Sequence, residues 1–140
     1  MTASRLLKLI LILGSLGWGV SIISVFLPWP MATEGLGMLG AGPLPNDPML
    51  DYWLRMAGGG FTMIGAFFAA VLFRPDKYAN LIPLLGWLSI GEGFILLISG
   101  LRLKLPTFPF IGDTTFCFLV GIGLIIVGPR AEKESPSTPD

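Results

Sequence analysis

The amino-acid sequence predicts an all-α integral membrane protein, a four-helix bundle with antiparallel, up-down-up-down connectivity. Three observations predict it. Four apolar stretches, about Leu6–Leu27, Tyr52–Phe73, Leu81–Leu101 and Phe110–Val127, fill most of the 140-residue chain. Each approaches the roughly 20 residues that a helix needs to cross a hydrocarbon core of about 30 Å, and in lipid only a helix or a closed barrel satisfies its own backbone. Charged residues are 13% of the chain and hydrophobic ones 53%, against about 25% charged in a typical soluble domain. A soluble reading fails because four consecutive buried spans would leave almost nothing to form a wet surface.

The first span follows Arg5 and Lys8. It is too long for a signal-peptide core and has no good small-x-small site after it, so it reads as an uncleaved helix. Leu27-Pro28-Trp29-Pro30 is expected to end it, since proline cannot continue a helix and biases its predecessor to extended geometry. The Gly/Pro-rich segment Pro28–Leu50 then reads as a long loop without Lys or Arg, carrying Glu34 and Asp47. Asp47 as N-cap and Pro48 at the first helical position start the second helix. The short turn Arg74-Pro75-Asp76-Lys77 makes the second and third helices antiparallel neighbours. Asn80 is the expected cap of the third. Leu105–Pro109 breaks the chain again, and Gly112-Asp113-Thr114 offers a capped start to the fourth. The expected domain organisation is one transmembrane domain over residues 1–130 and a polar, disordered tail over 131–140.

Charge sets the expected orientation. Six of the nine basic residues (Arg5, Lys8, Arg74, Lys77, Arg130 and Lys133) lie on the side of both termini. The positive-inside rule places that side in the cytoplasm. Arg55, Arg102 and Lys104 fall on the other side. The nine acidic residues balance the nine basic ones, so no basic surface points to nucleic acid. With no histidine and one cysteine, metal cages and disulfide frameworks within the chain are excluded.

Small residues mark the expected helix contacts. Gly58, Thr62, Ala66 and Ala70 recur every four residues along the second helix, a stripe that lets another backbone approach. It reads as the bundle interior, with a self-association face in a homo-oligomer as the alternative. Ser15 with Gly19, Gly17 with Ser21, and Cys117 with Gly121 repeat the spacing elsewhere.

The candidate chemistry is a set of ionisable residues in the outer half: Asp51, Arg55, Glu92, Arg102 and Asp113. Glu92 stands near the middle of the third span, between Gly91 and Gly93. An acid there costs about 2.5 kcal/mol or more on insertion scales and needs a partner or a cavity. Two readings stay open. It pairs structurally with Arg55, Arg102 or a backbone group, or it serves a ligand or a proton path. Asp51 and Arg55 are one turn apart and form a local pair. Asp113 reads as a helix cap, and Arg102 with Lys104 as side chains that snorkel to headgroups. The methionines around the outer loop fit gap-filling better than copper binding, and Cys117 has no base to activate it. Gly58-Gly59-Gly60 lacks the Lys-Ser/Thr of a phosphate loop. No catalytic set can be assembled.

Asp51-Tyr52-Trp53-Leu54-Arg55, Arg74-Pro75-Asp76, Gly91-Glu92-Gly93 and Arg102 together resemble the small DoxX-like membrane proteins of bacteria. The likeness runs from Asp51 to Val127 and rests on layout. It implies a four-helix fold in the bacterial inner membrane; some such proteins are associated with quinone-linked redox complexes. Three functions follow as expectations: an accessory or scaffold subunit of a larger membrane complex, a binder or carrier of a lipophilic molecule such as a quinone or lipid near Arg55 and Glu92, and an ion- or proton-coupled transporter acting as an oligomer. The expected partners are the lipid bilayer and a membrane protein or a second copy.

Overall fold

A computed structural model describes residues 2–134, and within them the chain is all-helical. Its helices are α1 (Ala3–Gly19), α2 (Ile22–Phe26), α3 (Trp29–Met38), α4 (Pro48–Phe73), α5 (Leu81–Leu103) and α6 (Thr107–Glu134). Four segments are long and apolar enough to cross a membrane: α1 with α2 as one rod over Ala3–Phe26, then α4, α5 and α6. These four segments suggest a multi-pass membrane protein.

The first rod tightens where α1 gives way to α2. Val20 N–H donates to Leu16 O at 3.0 Å, but Ser21 reaches Trp18 O and Ser24 reaches Ser21 O, three residues back. That is a short 3₁₀ step inside an otherwise continuous helix. Pro28 then turns the chain, with Leu27 extended before it (φ −68°, ψ 130°). The segment expected to be a loop instead holds α3, with Pro30 near its start. Proline has no N–H to lose in a first turn, so Pro30 favours a start as much as it ends the helix before it. The chain beyond α3 brings Gly40, at φ +95°, against Pro106 in the α5–α6 connection.

Asp47 caps α4, its carboxylate accepting from Met49 N–H at 2.8 Å with Pro48 in the first turn. Asn80 occupies the N-cap position of α5, but its side chain makes no capping bond. The other end of α5 closes on Lys104, which sits in the left-handed region (φ 53°, ψ 43°) while Leu105 N–H reaches back to Gly100 O. Glycine carries no Cβ penalty there. Lys104→Gly is therefore expected to stabilise the fold by about 1 kcal/mol, read as a higher melting temperature in detergent; a lower one would contradict this account.

The fourth span differs most from expectation. Thr107–Glu134 is one element, broken only at Phe108, which is extended (φ −99°, ψ 135°). Asp113 lies well inside it and is exposed, so it caps nothing. Pro109 marks the start of the regular helix. At the far end the helix runs through Pro129 to Glu134, so Ala131–Glu134 are helical and not part of a polar tail. Residues 135–140 lie outside the described part of the chain.

Packing follows the glycines. Gly65 of α4 meets the backbone of Gly19 and Ser15, and Gly14 leaves room for the Phe68 ring. Gly86 and Gly93 of α5 face Gly121 and Cys117 of α6, and Gly128 faces Ile82. Gly17 and Ile10 of α1 face Phe116 and Gly123 of α6. In each pair the residue numbers run in opposite directions. α5 thus packs on α6, α6 on α1, and α1 on α4, whereas α4 and α5 approach at only a few points. The short turn between them does not make them close neighbours, because the small-residue face of each is already occupied by another helix.

The expected stripe on α4 holds only at its first position. Gly58 is buried and Thr62 half-buried, but Ala66 and Ala70 are exposed; the buried line is Gly58, Gly65, Phe68 and Val71. Four residues turn a helix by about 400°, so a strict spacing of four drifts about 40° per step and leaves the interior after two steps. The core is formed by Leu7, Leu11, Phe68, Val71, Ile82, Val120, Leu124 and Val127.

Candidate functional site

Arg55 is the best-anchored ionisable group. Its Nε donates to Asp51 Oδ1 at 2.9 Å, and a terminal nitrogen lies 2.8 Å from the same oxygen. The other terminal nitrogen donates to Ser24 O at 3.0 Å and to Val25 O at 2.9 Å. Those carbonyls belong to the last turn of α2, where a helix has no amide donors left for them. A cation at a helix C-terminus also meets the negative end of its dipole. Arg55 therefore clamps α4 to the end of the first rod. Gly58, one turn along, leaves room for Ser24, whose hydroxyl donates to Ser21 O at 2.7 Å. The planar guanidinium fork suits three acceptors in fixed positions.

Glu92 lies apart from this clamp. Leu85, Ser89 and Glu92 follow each other at helical spacing on α5; Leu85 packs on the core, and Ser89 is buried with its hydroxyl on Leu85 O at 2.8 Å. That spacing puts Glu92 on the core-facing side, half-buried. Among the described residues it makes no ion pair, the pair there being Arg55 with Asp51. The structure does not bring Glu92 and Arg55 together, because they sit on α4 and α5, long helices that approach at only a few points.

Two further polar groups are buried in the bundle without a partner among the described residues, the Trp18 indole Nε1 and the Thr114 hydroxyl. Trp18 continues the buried line Leu7, Leu11, Gly14 of α1 and packs against Phe61 and Phe116, with ring centroids 5.3 and 6.1 Å away. Thr114 continues the buried line of Cys117 and Gly121 on α6. Cys117 is free and buried, against Gly93 of α5. Gly93 faces Cys117 and Gly17 faces Phe116, so Glu92 and Trp18 stand at one level of the bundle. The arrangement offers two buried hydrogen-bond donors and an acid within an apolar bundle. Both donors are groups that sequence reasoning passed over. A tryptophan inside an apolar span, away from the interfaces where its ring is favoured, was the available signal for one of them.

The remaining candidates lie at the margins. Arg102 is exposed in the last turn of α5, where its charge suits the helix dipole. Asp113 is exposed on the first turns of α6. Among the described residues no cluster of three or more metal-binding side chains exists. Compared with protein-family models, with curated proteins and with solved structures, the chain matches none.

Proposed function

We propose that this chain is a small accessory or scaffold subunit of a larger membrane complex. In this reading it is an up-down-up-down bundle in a bacterial inner membrane, as the DoxX-like resemblance implies, with both termini in the cytoplasm by the distribution of its basic residues. The observation that carries the proposal is the use of Arg55. Its donors are spent on Asp51 and on the backbone of the first rod, so the strongest polar feature of the outer half holds the fold in shape. Around it, α3 presents Met31 and Met38 outward, soft side chains that adapt to a protein surface.

Native purification in mild detergent tests the assignment. A stoichiometric membrane-protein partner is the expected result, and a monomer without protein partners would sink it. A second reading, a binder of a lipophilic molecule such as a quinone, draws on the buried, unpartnered Trp18 and Thr114 donors. A monomer that carries a quinone or lipid through purification would favour it.

Orientation has its own test. In a Cys117→Ala background, Gly42→Cys is expected to react with an impermeant maleimide once the outer membrane is permeabilised, whereas Thr2→Cys stays unlabelled. Gly42 and Thr2 are both exposed, and a side chain at Gly42 meets open space. The reverse pattern would invert the topology.

A further inference from the structure

At one end of the bundle, the start of α1, the α4–α5 turn and the end of α6 enclose a cleft of about 480 Å³. Its floor includes Leu11 and Ile82, both buried core residues. Its rim carries Ser4, Lys8, Asp76 and Glu132. Among the described residues, none of these three charged side chains is engaged in an ion pair. The volume falls within the range of small-molecule sites.

We propose that this cleft binds the headgroup of a zwitterionic phospholipid bearing a primary ammonium, of the phosphatidylethanolamine type. The apolar floor and charged rim lie where the apolar spans stop, so the occupant is an amphiphile at headgroup depth. Lys8, with the Ser4 hydroxyl beside it, meets the phosphate. Asp76 and Glu132 meet the ammonium, whose N–H groups form charge-assisted bonds to carboxylates. Two acids against one base disfavour an anionic headgroup without an amine. Among the described residues no aromatic side chain lines the cleft, so they form no cage of the kind that recognises a quaternary ammonium such as choline.

The test is native mass spectrometry of the full chain in a neutral detergent, titrated with phosphatidylethanolamine, phosphatidylcholine and phosphatidylglycerol of matched chains. Phosphatidylethanolamine is expected to bind about tenfold tighter than either of the others, the weight of one charge-assisted hydrogen bond. In the double variant Asp76→Asn/Glu132→Gln that preference is expected to vanish, while Arg102→Gln at the other end keeps it. All of these are exposed positions, and an unchanged melting temperature verifies that the variants fold. Equal affinity for the three lipids, or a preference that survives the double variant, would overturn the proposal. So would soluble phosphoethanolamine binding as tightly as the lipid, because the site would then need no membrane.

Discussion

Gly65→Ala is expected to be among the most damaging single methyl additions in this chain. A Cβ at Gly65 would stand 2.5 Å from Gly19 N, 2.7 Å from Gly19 Cα and 2.9 Å from Ser15 O. All three are backbone atoms of the facing helix, so no rotamer relieves the contact and the α1–α4 pair must separate. Overpacking in a well-filled core costs about 1–3 kcal/mol, and a backbone contact belongs at or above the upper figure. In lipid the loss is felt in full, because packing is the main force that holds helices together there. Gly65→Leu is expected to leave no folded protein. The controls are Gly60→Ala and Gly91→Ala, where a Cβ meets nothing within 4 Å; these should be neutral or gain up to about 1 kcal/mol of helix propensity. Ala66→Leu should be tolerated as well, since Ala66 is exposed. Unfolding by titration of a denaturing detergent into mild micelles, followed by circular dichroism, measures the series. Equal tolerance at Gly65 and Gly60 would refute the packing of α1 on α4.

Arg55→Met has the second large expected effect. It removes the hydrogen bonds to Asp51, Ser24 O and Val25 O together. Bonds that involve a charged group contribute about 1.5–3 kcal/mol each when buried, and partial exposure of the arginine reduces that, so a total of about 2–4 kcal/mol is expected. Arg55→Lys should recover less than half of it, because one ammonium cannot reproduce a planar fork that spans a carboxylate and two carbonyls. A double-mutant cycle identifies the partner. Asp51→Asn should couple to Arg55→Met, whereas Glu92→Gln should combine with it additively to within about 0.5 kcal/mol. A coupling with Glu92 well above that would place the acid on the wrong side of the bundle.

The spans were legible because hydropathy sums over some twenty residues, and no single position decides it. Asp47-Pro48 was legible for a different reason, since a cap and a first-turn proline are local chemistry. The start of α6 was misread: Asp113 has a capping side chain, but Pro109 four residues earlier is compatible with a helix start. α3 was hidden by composition, being short, glycine-containing and introduced by prolines that also end the preceding helix. The α5–α6 contact left a trace, with Gly86, Gly93 and Gly100 on one helix and Cys117, Gly121 and Gly128 on the other. The shortness of the turn before α5 outweighed it. The partners of Arg55 left none. Backbone carbonyls have no letter in the sequence, and only the end of α2 in space makes Ser24 O and Val25 O acceptors.

The separation of α4 from α5 bears on how the chain enters its bilayer. α1 and α4 can clasp as soon as both have left the ribosome. α5 emerges next, carrying Glu92, and finds little to grip on the helix just before it. Its close partner is α6, which is made after it. A nascent chain stalled after Leu103 should therefore hold an acid-bearing segment that the insertion machinery cannot readily release into lipid, and completion of α6 becomes the step that frees it.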